Sequence, residues 1–165
     1  MKRLAGLGRK GWLLCALGAV LLAVLANLYI LSARPFGATL GIPIDQTGPV
    51  GTVIAAIVPF VWLFLYAGMG TTFWLLAVKE RRMSGRAWLV VALVLLCVAY
   101  PAYTGSLNQP IVALIGNGVV VAVATTAVWS IWPISKLGAG LLVPVIAWVL
   151  LASVALVALI TGQRF

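Results

Sequence analysis

The chain has no histidine, two acids (Asp45 and Glu80) and two cysteines, and charged residues fill only 8% of its 165 positions. Each scarcity removes a class of function. General acid–base or nucleophilic catalysis needs positioned His, acid, Lys or activated Cys groups that meet. No such pair is available, so no catalytic residue is assigned and an enzyme is not expected, chemistry carried by a bound cofactor excepted. Cys15 and Cys97, isolated from His and from acids, make neither a disulfide framework nor a metal site. Both are expected to be small packing residues. A water-soluble domain is excluded as well, because 64% hydrophobic residues leave too little polar surface.

What the chain does have is long apolar runs. Residues 11–32, 53–78, 87–104, 111–132 and 137–161 contain no Asp, Glu, Lys or Arg. A bilayer core about 30 Å thick needs roughly 20 such residues per helix. Backbone groups in lipid must satisfy one another, so each run is expected to be a helix. The predicted fold is an all-α integral membrane protein, a five-helix bundle forming a single domain over 1–165, with a long first loop at 33–52.

The net charge of +9 resides mainly in two clusters, Lys2, Arg3, Arg9 and Lys10 before the first run and Lys79, Arg81, Arg82 and Arg86 after the second. Nucleic-acid binding would need a basic stripe on a soluble surface, and none is expected here. The positive-inside rule explains the charges better. With the N-terminus inside, both clusters and Lys136 lie inside, leaving Arg34 and Arg164 outside. The expected location is a bacterial cytoplasmic membrane, N-terminus in and C-terminus out. The first run is too long for a signal peptide, and Leu31-Ser32-Ala33 is a poor cleavage site, so an uncleaved helix is expected.

Loop one carries Pro35, Pro43, Pro49 and four glycines, and it is the segment large enough for a lid, with a short helical turn possible near Ile42–Gln46. Pro110 suits the first turn of the fourth helix. No charged group lies inside a span, which argues against proton-coupled pumps and small multidrug exporters, and no polar ring suggests a channel. Asn27 and Asn117 are the strongest uncharged polar residues. Each either bonds across helices or contacts a ligand, with Asn117 the better ligand candidate because Gly116 and Gly118 leave space beside it. Thr71, Thr72, Thr125, Thr126 and Ser153 are expected to bond back to their own helix carbonyls.

Small residues recur every four positions at Gly118, Ala122 and Thr126, and at Ala19 and Ala23. Such faces pack inside a bundle or at a dimer interface, the first being commoner. Trp12, Trp88, Trp129 and Trp132 fall near span ends as interfacial anchors. Trp62 and Tyr66 share a helix face. Trp148 lies four residues from both Pro144 and Ala152, so one face of helix five presents a kink, an indole and a small gap.

The run Val58-Pro59-Phe60-Val61-Trp62-Leu63-Phe64-Leu65-Tyr66-Ala67-Gly68-Met69-Gly70 resembles the second helix of the translocator protein/tryptophan-rich sensory protein (TspO) family, whose pattern is Pro-x-x-Trp-x-x-x-Tyr-x-x-Met-Gly. Leu141-Leu142-Val143-Pro144-Val145-Ile146-Ala147-Trp148 resembles its fifth helix, Pro101-Ala102-Tyr103-Thr104-Gly105 the end of its third, and Ala124-Thr125-Thr126 with Trp129 its fourth. The ordered set covers roughly residues 53–161.

The resemblance implies a five-helix bundle, commonly a homodimer, with a pocket opening toward loop one. It also implies a sensor or carrier that binds a flat apolar ligand: a porphyrin such as protoporphyrin IX or haem, or a sterol- or isoprenoid-type lipid. Carried over position by position, Trp62, Tyr66, Trp148 and Ala152 would line the pocket, and Asn117 joins them as a ligand contact. No cofactor is required, though a bound porphyrin or haem fits the resemblance. Loop one would be the lid, with Arg34 either an interfacial anchor or a contact for an anionic group. The chain departs from the family at Ala92, Leu96, Ala99 and Leu156, which stand where amides and a Trp are usual, and at Gly41–Gln46 in loop one. A pocket without those amides is more apolar. The competing expectation is a membrane assembly or structural partner acting through small-residue helix faces, without a ligand.

Overall fold

The computed structural model describes residues 8–32, 49–80, 82–107 and 110–161. Five helices make up nearly all of them: α1 (Arg9–Ser32), α2 (Pro49–Glu80), α3 (Gly85–Leu107), α4 (Pro110–Ile131) and α5 (Lys136–Ile160). All five are long and apolar enough to cross a membrane. The chain is a five-helix membrane bundle, as its apolar runs imply.

The helix ends are set by local chemistry that hydropathy does not see. α2 starts at Pro49, so the expected loop 33–52 loses its last four residues to helix; proline suits a first turn because its missing N–H has no intrahelical partner there. At 32 residues α2 is the longest helix, about 48 Å at 1.5 Å per residue, and it outreaches the hydrocarbon core at its ends. Ser84 caps α3, its Oγ accepting the Ala87 N–H at 3.3 Å. Ser135 caps α5 in the same way through the Gly138 N–H at 3.2 Å. Both are serine N-caps satisfying third-position amides. α3 runs on to Leu107, past the expected end at residue 104. The possible turn at Ile42–Gln46, the lid and Arg34 lie outside the described residues.

The helices form a ring in which α1 packs on α2, α2 on α5, α5 on α4 and α4 on α3; α3 also packs on α2 and meets α1 along the sparsest seam. Neighbours in the ring run antiparallel except along the α1–α3 seam, where the early parts of both helices meet and the two run parallel. Arg86 at the start of α3 donates to Ser130 O near the end of α4 at 2.8 Å, and Thr72 late in α2 donates to Gly138 O early in α5 at 3.0 Å. The connections at 82–84 and 132–135 therefore close one end of the bundle, called the base below.

Met69, Leu76, Leu93, Ile131, Leu142 and Leu156 are fully buried and form much of the core. Outside it, large apolar side chains are turned outward, with Phe60 70% and Trp129 82% exposed. In water such a surface would aggregate; in lipid it is the solvated face. Trp12, Trp88 and Trp132 are also exposed, as expected of anchors. Cys97 is buried in the core, and neither cysteine is bonded to the other.

Candidate functional site

The segment Gly68–Thr72 of α2 organises the interior, because it brings two neighbouring helices to backbone distance. A Cβ at Gly70 would stand 2.3 Å from Cys15 O and 2.9 Å from Ala16 Cα of α1. One at Gly68 would stand 3.2 Å from Leu141 O of α5. Two glycines with one residue between them thus face two different helices. The next residues bond them: the Trp12 indole N–H donates to Thr71 Oγ1 at 2.9 Å, and Thr72 Oγ1, itself fully buried, lies 2.9 Å from Gly68 O as well as 3.0 Å from Gly138 O. The Met-Gly that ends the family-like pattern is therefore explained by packing: Met69 fills the core and Gly70 lets α1 in.

Tyr66 and Trp62 lie about one and two turns from Gly70 toward the open half. Their ring centroids are 5.7 Å apart with planes tilted by 33°, an offset aromatic pair. Tyr66 is buried, Trp62 is half-buried, and both pack on the core. Trp148, on the adjacent α5, is likewise half-buried against that core. Ala152, one turn further along α5, is half-buried. Asn117 of α4 is buried and its Nδ2 donates to Ser153 Oγ at 3.0 Å, beside Ala152. Ser153 in turn donates to Val149 O at 2.7 Å. The five expected site residues are thus not gathered in one described contact: Trp62 and Tyr66 pair on α2, Asn117 crosses from α4 to Ser153 of α5, and Trp148 and Ala152 are half-buried on α5.

Other polar residues are accounted for within the fold. Asn27, expected to bond across helices or to contact a ligand, instead donates to Ala23 O of its own helix at 2.8 Å. The four-residue geometry gives its amide a carbonyl without leaving α1. Thr71, Thr126 and Ser153 bond back to their own helices, as expected of short hydroxyl side chains in spans. Among the described residues the Trp74 indole N–H is the buried side-chain polar group that has no acceptor.

The small-residue faces part company. Ala23 is buried and Ala19 half-buried on the inner side of α1, whereas Gly118, Ala122 and Thr126 all face out of the bundle. For α4 the commoner outcome fails, because its inward face is supplied by Ala113, Asn117, Val120, Ala124 and Ala127. The family's amide positions are also visible. Leu156 is fully buried, and Leu96 packs on the core, so apolar side chains close the space that amides would make polar.

Nothing in the sequence pointed to a cavity of about 240 Å³ between α1, α2 and α3. Gly18 and Leu22 of α1, Met69 and Phe73 of α2, and Val94 and Leu95 of α3 contribute to its walls. None of the five expected site residues does. The available signal was Gly18, a gap between Leu14 and Leu22 on one α1 row. Among the described residues no three of His, Cys, Asp and Glu come together to hold a metal ion.

Comparison with known proteins agrees with this architecture. No curated protein and no solved structure matches the chain significantly. The model of the TspO/MBR family matches residues 45–161, more than two thirds of the sequence and the part that holds α2 to α5. The matched span contains both the Pro59-to-Gly70 run on α2 and the Pro144–Trp148 run on α5, and the chain belongs to the TspO/MBR family.

Proposed function

We propose that this multi-pass membrane protein is a sensor or carrier. It takes a flat apolar ligand, a porphyrin such as protoporphyrin IX or haem or a sterol- or isoprenoid-type lipid, between α2 and α5 in the half of the bundle away from the base. The observation that carries the reading is the Trp62–Tyr66 pair, whose rings lie 5.7 Å apart beside the helix that bears Trp148 and Ala152. Burial of a flat ring against these aromatics supplies the affinity. Asn117 supplies the polar edge, and Leu156 keeps the rest of the slot apolar. The N-terminus and the base face the cytoplasm, since Lys10, Lys79, Arg82, Arg86 and Lys136 gather there.

Titration of the detergent-solubilised protein with protoporphyrin IX, followed by tryptophan fluorescence, tests this. Saturable quenching is expected, with Ala152→Leu weakening the affinity at least about tenfold, which is 1.4 kcal/mol, and Trp148→Phe lowering the quenching amplitude. Identical curves for all three proteins would remove the slot.

A second reading is favoured by the outward stripe Gly118–Ala122–Thr126: an assembly partner that pairs through α4, in a homodimer or with another membrane protein. Ala122→Leu separates the two. It should abolish association in a cross-linking assay and leave protoporphyrin quenching intact if α4 is the contact.

A further inference from the structure

We propose that the groove between α1 and α3 holds one acyl chain of an anionic membrane phospholipid, with the phosphate of that lipid on Lys10. The site is separate from the α2–α5 slot and lies in the base half. Its floor is Met69 and Phe73 of α2, and it opens sideways to the bilayer, because Gly18, Leu22 and Leu95 on its walls are all exposed. A Cβ at Gly18 would meet nothing within 4 Å, so a larger side chain is accommodated there without displacing its neighbours.

Shape favours a chain over a ring. The cavity volume of about 240 Å³ is below the roughly 300–1,000 Å³ of pockets that enclose drug-sized ligands. Lys10, Leu14, Gly18 and Leu22 follow one another at four-residue spacing and so form one row along α1. That row is about 18 Å long at 1.5 Å per residue, close to the roughly 15 Å depth of one leaflet's hydrocarbon. A lipid whose phosphate meets the first residue of the row lays its chain along the others.

Charge selects an anionic headgroup. Glu80 is the one acid among the described residues, and it is occupied by Arg86. Lys79 donates to Ile134 O at 2.6 Å and Arg86 to Ser130 O at 2.8 Å. Lys10 and Arg82 are exposed at the same end. A positive surface at headgroup level attracts anionic lipid over zwitterionic lipid.

Native mass spectrometry of the full chain, loaded with phosphatidylglycerol or phosphatidylcholine of matched acyl chains, tests the site. The wild type is expected to retain one phosphatidylglycerol, several-fold more often than phosphatidylcholine. Gly18→Phe, which fills the groove from α1, and Leu95→Trp, which fills it from α3, should each cut that retention about tenfold. Lys10→Gln should bring phosphatidylglycerol down to the phosphatidylcholine level. Circular dichroism melts identify which variants fold. Equal retention of the two lipids by the wild type, or wild-type retention by either folded filling variant, overturns the proposal.

Discussion

Among the described residues, the helices near the 82–84 and 132–135 connections are tied to one another by several polar bonds that cross between them, whereas those of the opposite half show more aromatic and aliphatic packing. At the base Lys79 reaches Ile134, Arg86 reaches Ser130 and Glu80, Trp12 reaches Thr71 and Thr72 reaches Gly138. In the far half Asn117 bonds Ser153, and Tyr29 and Tyr100 are also engaged. Pro59 and Pro101 interrupt the backbone ladders of α2 and α3 there, while Pro144 interrupts that of α5 nearer the base, since each removes one helical N–H. A half held by packing, with two prolines, can admit a ligand between helices at modest cost. A half tied by backbone-directed bonds keeps the helix order while the other half opens.

The sharpest way to break this contrast is at Gly70. Gly70→Ala drives a Cβ into α1 backbone atoms, which cannot swing aside as a side-chain tip can. It should cost about 3 kcal/mol, the upper range for overpacking, read as a fall in the unfolding midpoint in detergent. Gly68→Ala, with its nearest atom at 3.2 Å, should cost less, and Gly118→Ala, with nothing within 4 Å, should cost nothing measurable. Equal effects at all three positions would mean that the base is not the rigid half.

The helix count and the outward facing of Trp12, Trp88, Trp129 and Trp132 were legible because apolar run length and residue class decide them. Trp62 and Tyr66 were legible as a pair because four-residue spacing puts two rings on one face. The inward or outward facing of a stripe was not. Ala23 and Ala122 belong to equally small-rich runs, and only their helices' neighbours decide that one is buried and the other faces lipid. Helix ends depended on Pro49, Ser84 and Ser135, single residues whose backbone chemistry hydropathy ignores. The groove was invisible because a void is a property of three helices together, with Gly18 its faint local mark.

Intermediate effects sharpen the comparison by separating stability from binding. Thr72→Val removes a buried hydroxyl that joins α2 to α5, and it should lower stability by about 1 kcal/mol while leaving protoporphyrin affinity unchanged. Asn117→Leu removes the α4–α5 bond. It should lower stability by no more than about 1 kcal/mol but alter ligand affinity, because it lies beside Ala152 in the half that opens. The two variants should thus differ in titration more than in melting. The reverse ranking would place the ligand at the base.

The smallest expected effect is at the ion pair. Arg86 is 39% exposed and stands 2.9 Å from Glu80, whose carboxylate also accepts from Ser84. Because Arg86 keeps its bond to Ser130 O when the carboxylate is lost, Glu80→Gln leaves the guanidinium with a partner, and the substituted amide can still accept from Ser84. With Glu80 13% exposed the pair is only partly open to water; such pairs contribute about 1 kcal/mol or less, and salt screens them. Glu80→Gln should therefore shift the melting midpoint slightly at low salt and not at all near 1 M salt, where the Debye length falls to about 3 Å. A loss comparable to that of Gly70→Ala would mean that charge, rather than the close approach of α1, α2 and α5, makes the base rigid.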